Sequence, residues 1–97
     1  MPETRLTLRD ADVDWREVEG ELVVLDLRDS RYLAINATGR VLWAALAEGA
    51  THNQLVERLI EAFDVDQARA GADVDAFIGE LESRDLLLHE QNDTRAS

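Results

Sequence analysis

The chain has 97 residues, 45% of them apolar, and its 10 basic and 21 acidic side chains leave a net charge of −11. That length holds one core and leaves no room for a second, and the acidity argues against nucleic acid and against anionic membranes, both of which require clustered cations. With no cysteine, disulfides, thiolate zinc sites and a thiol nucleophile are excluded. Residues 1–12 carry no apolar segment that reads as a signal peptide, and they read as a poorly ordered terminus. Strand-like sequence follows: Val13 and Trp15 alternate with Asp14 and Arg16, Leu22 to Leu25 run into Asp26, and Tyr32 to Ile35 follow a short gap. Glu19-Gly20 and Asp29-Ser30 punctuate these runs at two-residue loop length, so the spacing predicts a three-stranded antiparallel meander.

After Ile35 the apolar period lengthens to a helical one. Asn36 or Thr38 caps a first helix through Val41, Leu42, Ala45 and Leu46, and Gly49 stands where it should end. Thr51 and Gln54 have capping-box spacing ahead of a second helix ending at Phe63, and Asp73 caps a third running to Arg84. Residues 64–72 read as a loop with one helical turn, Leu86 to Leu88 as a short closing strand, and residues 90–97 as a loose tail. Residues 13–89 therefore form one α+β domain of winged helix-turn-helix type, with a three-stranded antiparallel sheet and three main helices. Trp43, Leu46, Leu59, Phe63, Phe77 and Leu81 are its expected core. The longest unbroken apolar run, Val41 to Ala47, is too short to span a bilayer. A soluble, cytoplasmic domain is expected.

Several patterns imitate sites. Asp10, Asp12, Asp14 and Glu21 approach the spacing of a calcium loop, but Trp15 holds the position where that loop needs glycine, and the flanks are strand-like. Asp29-Ser30 resembles the modified serine of acyl carrier proteins, but Arg31 follows it and no helix begins there. His52 and His89 have no second ligand at metal spacing, and no nucleophile stands with a base. No metal, no cofactor and no catalysis are expected. The strand over 31–35 differs from these. As the last of a meander it lies at a sheet edge, yet only Arg31 guards it, where edges normally carry lysine, proline, a bulge or inward charge. Such an edge is either covered by another part of the chain or docks an extended peptide.

The run Val23-Val24-Leu25-Asp26, then Arg31 to Asn36, then Gly39-Arg40-Val41-Leu42-Trp43, resembles the PqqD-like family. So do Glu48 to Thr51 with Leu55 and Leu59, and Asp73-Val74 with Phe77, Ile78, Leu81, Leu86 and Leu87. Asp85 departs from the pattern, since the family often has glycine before the final leucines. The resemblance implies a recognition element for the precursors of ribosomally made, post-translationally modified peptides. Such an element does no chemistry. It adds the precursor's leader as a strand beside the strand over 31–35 and against the third helix, and a separate leader peptidase or other modifying enzyme then acts. With no second domain in view, a discrete member of lasso-peptide B1 type is expected, and the alternative is one serving a radical enzyme in pyrroloquinoline quinone synthesis. The implied peptide-binding residues are Arg31, Tyr32, Leu33, Ala34 and Ile35 on the strand. On the helix they are Val74, Phe77, Ile78 and Leu81, with Asp73 and Asp75 attracting basic leader residues.

A reading of another class, an acidic winged-helix transcription accessory protein, needs a basic recognition helix. Residues 73–84 carry Asp73, Asp75, Glu80 and Glu82 against a single arginine. In a gel-shift at low salt the chain should retain no duplex DNA; a retained band would revive that reading.

Overall fold

The computed structural model describes residues 4–9 and 11–91. Its elements in chain order are β1 (Thr4–Leu8), β2 (Val13–Val18), β3 (Glu21–Asp26), β4 (Arg31–Ile35), α1 (Ala37–Glu48), β5 (Ala50–Thr51), α2 (His52–Phe63), α3 (Gln67–Ser83) and β6 (Leu87–Gln91). The mixed α+β class, three helices and antiparallel meander are as expected, but the strands form two sheets rather than one.

The meander is β2-β3-β4, with Trp15 opposite Val24 and Leu33 opposite Val24 on its other side. Glu19 and Gly20 both take positive φ in the first turn, which matches a two-residue hairpin. The second connection is wider than expected, because Asp26 pairs with Arg31 and leaves residues 27–30 as the loop. The other sheet, β5-β1-β6, corrects the expectation of a loose N-terminus. Thr4–Leu8 pairs along its length with β6, and Leu6 and Leu8 are buried. Two isolated leucines in a short polar stretch give little periodicity, so nothing local announced this strand. Asp10 and residues 1–3 and 92–97 lie outside the described part of the chain.

Local chemistry sets the helix ends. The Asn36 side chain accepts the Gly39 N–H, and Gly49 ends α1 at φ +94. Thr51 and Gln54 complete their capping box at 3.2 and 2.9 Å. The third helix begins earlier than expected: Asp66, not Asp73, caps it by accepting the Arg69 N–H at 2.8 Å. Its first turns carry small residues, and fully buried Ala70 replaces the large apolar stripe a sequence reader looks for. Gly71 reads as a breaker but is carried inside the helix.

The core joins both sheets to the helices through Leu42, Leu46, Leu55, Leu59, Val74, Leu81 and Leu86. Trp43 packs edge-to-face on Trp15 with ring centroids 5.4 Å apart, and Arg40 donates to Glu17 and to the Gly20 carbonyl. These contacts fasten α1 beneath the meander. Of the expected core, Phe77 is only half-buried and Phe63 is 40% exposed at the end of α2. Among the described residues no helix is long and apolar enough to cross a membrane. Because Leu6 is core rather than tail, Leu6→Ala should cost about 3 kcal/mol in urea unfolding. A change below about 0.5 kcal/mol, the usual range of surface substitutions, would mean that β1 is not part of the cooperative unit.

Candidate functional site

The two edges of the meander are unlike. The β2 edge carries exposed Asp14, Arg16 and Glu17, charges of the kind that discourage strand pairing. β4 pairs with β3 alone, and no strand among the described residues covers its other side. Two cavities meet at Glu80 of α3: one of about 390 Å³ lies between β3–β4 and the end of α3, and one of about 370 Å³ lies between the start of α1 and α3. The lower cavity, beside the β3–β4 turn, has an apolar floor of Val24, Leu33 and Leu86. The upper one, at the start of α1, is floored by Gly39, Leu42, Ala76 and Phe77. Gly39 is needed there because a Cβ would collide with Ile35 Cγ2 and stand 3.0 Å from Phe77 Cε1. Together the cavities make a groove that follows α3, bordered by the unpaired strand at its lower end and by the start of α1 at its upper end.

The pleat of β4 divides the expected binding residues between two faces. Arg31 and Leu33 line the lower cavity, while Ile35, on the same face, is buried in the core. Tyr32, 70% exposed, and Ala34 lie on the opposite face of the sheet, away from the groove. On α3, Asp73 and Phe77 line the upper cavity. Val74 and Leu81 are fully buried, so they are core and not lining. Ile78 is half-buried against the core and lines neither cavity. Asp75 faces α2, where its carboxylate meets His52 Nε2 at 2.7 Å. The other groove-facing residues of α3 and its C-cap are polar or small: Arg69, Ala76, Glu80, Ser83 and Arg84. Sequence reasoning passed over them by following the apolar stripe, which marks the core; a groove wall is the next strip round the helix.

One more group escaped the sequence. Asp26, 6% exposed at the end of β3, receives Arg28 Nη2 at 3.2 Å, Arg28 Nε at 3.3 Å and the Arg28 backbone N–H at 3.1 Å. Arg9 Nη2 lies 3.2 Å from the same carboxylate as an ion pair. Arg28 also donates Nη1 to Asp85 at 3.1 Å, so it ties the β3–β4 turn to the α3–β6 turn across the lower end of the groove. Asp85 holds φ +58, the conformation that favours glycine at this position. Arg28's side-chain hydrogen bonds hold the Asp26 carboxyl at about 2, well below its ordinary value and against the opposing effect of burial. The Asp26 and Asp85 carboxylates raise the Arg28 guanidinium further above its usual range.

No group of three or more His, Asp or Glu among the described residues is arranged to hold a metal ion. His52 and His89 line a separate cavity on the far side of α3, where each faces a carboxylate, His89 meeting Glu82 at 2.9 Å.

The profile of the family described as Coenzyme PQQ synthesis protein D (PqqD) matches residues 21–87, which include both walls of the groove. No curated protein matches the sequence. Among solved structures, the chain is similar to TbiB1 in complex with the TbiA(beta) leader peptide. The identity is 24%, covering 94% of this chain and 99% of that one, with a TM-score of 0.75. It is also similar to a lasso peptide synthetase B1 complexed with the leader peptide, at 22% identity over 86% and 96% of the two chains, with a TM-score of 0.76. At these identities the likeness is one of fold.

The buried carboxylate makes a pH-dependent contribution of known sign. Its folded value of about 2 lies below the 3.8 of the free group, so protonation favours the unfolded chain. The contribution is complete above about pH 4 and disappears as the pH falls through about 2. Asp26→Asn should therefore lower stability at neutral pH and flatten the dependence of the urea midpoint across that acid window. An unchanged acid limb in the variant would assign it to other carboxylates.

Proposed function

This chain belongs to the PqqD family, and we propose that it binds the leader segment of a ribosomally synthesised precursor peptide and delivers it to a separate processing enzyme. The observation that carries this reading is the unpaired edge of β4 lying over a groove whose far wall is α3. An extended leader would add to β4 as a fourth strand. The β4 backbone supplies hydrogen bonds that are largely indifferent to sequence, and alternate leader side chains enter the groove. The intervening side chains lie on the outer face beside Tyr32 and Ala34. A free leader is disordered, so binding must offset its ordering entropy, and a well-packed anchor against Phe77 and Leu33 contributes more than many loose contacts.

A leader peptidase of a lasso-peptide pathway is the favoured enzyme, because both structural relatives named above are B1 proteins with a leader peptide. The alternative, presentation to a radical enzyme in pyrroloquinoline quinone synthesis, is favoured by the description of the matching family. In either case the chain acts in the cytoplasm as a carrier, takes no cofactor and leaves the chemistry to its partner. Neither nucleic acid nor membrane is a partner in this reading.

Ala76 is exposed on the groove wall, so a larger side chain there should fill the upper cavity without entering the core. Ala76→Trp should weaken binding of a synthetic leader more than about tenfold in a titration, with an unchanged melting curve. Backbone N-methylation of the leader at alternate residues should weaken binding at one parity only, since only those N–H groups face β4. Equal affinity for all these forms in the folded protein would overturn strand addition in the groove.

A further inference from the structure

We propose that the end of the groove beside the β3–β4 turn selects an acidic side chain, Asp or Glu, of the bound strand, and so fixes its register. This rests on the peptide-binding reading above. A strand that adds to an edge through main-chain bonds alone has no preferred register, because a slip of two residues restores the same bonds and the same faces. Something at the groove must therefore distinguish one position of the peptide from the next.

The two cavities differ in how many cations they offer. The upper one has a single arginine, Arg69, beside Asp73 and Glu80. The lower one has three, Arg28, Arg31 and Arg84, beside Asp26, Asp29, Glu80 and Asp85, in a chain with only ten basic residues. Its deepest carboxylate, Asp26, is already taken up by Arg9 and by two side-chain nitrogens and the backbone N–H of Arg28. Arg84 is held by Glu80 at 2.7 Å. The other contacts facing the cavity are loose. Arg28 Nη1 is held by Asp85, whose side chain is 76% exposed, and Arg31 meets Asp29 only at 3.5 Å with both side chains largely in solvent. Exposed pairs of this kind contribute little, so a peptide carboxylate replaces them at small cost. In the half-enclosed groove it gains charge-assisted hydrogen bonds from Arg28 and Arg31. Asp85 occupies, in the free protein, the place that carboxylate would take on Arg28 Nη1. Arg31 is the first residue of β4 and shares the groove face with Leu33, so the acid is set at one end of the ladder and an apolar side chain follows it along the groove.

The test selects random peptides displayed on phage against the full chain and keeps those that Ala76→Trp excludes. Such peptides should share Asp or Glu at one position. Changing that residue to its amide in a synthetic copy should weaken binding about tenfold. Arg31→Gln should abolish the distinction between acid and amide, and Asp85→Asn, which removes the competing carboxylate, should widen it severalfold. A gain of that kind is not produced by damage to the fold. Groove-binding peptides with no acidic position, or equal affinity for acid and amide, would overturn this inference while leaving the peptide-binding reading intact. If no selected peptide is excluded by Ala76→Trp, both fail.

Discussion

The lower end of the groove is built over a carboxylate that would be costly without its partners. Asp26 ends β3 inside the protein, and burying an unpaired charge there would be prohibitive. Arg28 answers it from the following turn and Arg9 from the segment after β1. Arg28 then reaches Asp85, and the Arg9 backbone N–H bonds the Leu86 carbonyl at 2.9 Å. Asp26 thereby ties the β3–β4 turn to the end of β1, and the Arg9 backbone ties that end to the turn that closes α3. These parts flank the lower end of the groove. The upper end is set by packing instead, where Gly39 lets α1 sit close to Ile35 and Phe77.

An edge strand held beside a helix wall in this way is not the usual hazard of an exposed edge. Free edges invite pairing with any chain, and most proteins blunt them. Here β2 is blunted with charge, while β4 faces the end of α3 across the lower cavity, so in the proposed reading a partner strand meets the helix as well as the backbone. In that reading the hydrogen bonds would supply adhesion and the groove selection. Such a division would suit a domain that accepts one extended segment and refuses other unfolded chains.

What was legible in the sequence follows from how local each signal is. The meander, the Asn36 cap, the Thr51–Gln54 box and Gly49 rest on neighbouring residues and appear where periodicity and capping chemistry put them. β1 has only Leu6 and Leu8 to mark it, and its partner β6 lies at the opposite end of the chain. The start of α3 was hidden because small residues pack it. The open edge was visible from strand order alone. Its wall was not, because a 3.6-residue period shows which stripe of α3 is core but leaves the angle between that stripe and β4 undetermined. That angle is fixed by contacts between elements far apart in sequence, such as Arg9 with Asp26 and the Arg9 N–H with the Leu86 carbonyl.

The same network changes the meaning of the net charge. Spread evenly, an excess of eleven negative charges would repel an acidic peptide everywhere and attract a basic one anywhere. The charges are not spread evenly. Around the lower cavity three arginines face four carboxylates, one of them neutralised from beneath by Arg9, so the local balance is close to zero. A near-neutral, arginine-lined recess in an acidic surface repels the peptide far less than its surroundings do, and within it short-range hydrogen bonds decide the geometry. The global charge thus disfavours nucleic acid, while the proposed groove would distinguish peptides by the placement of single side chains.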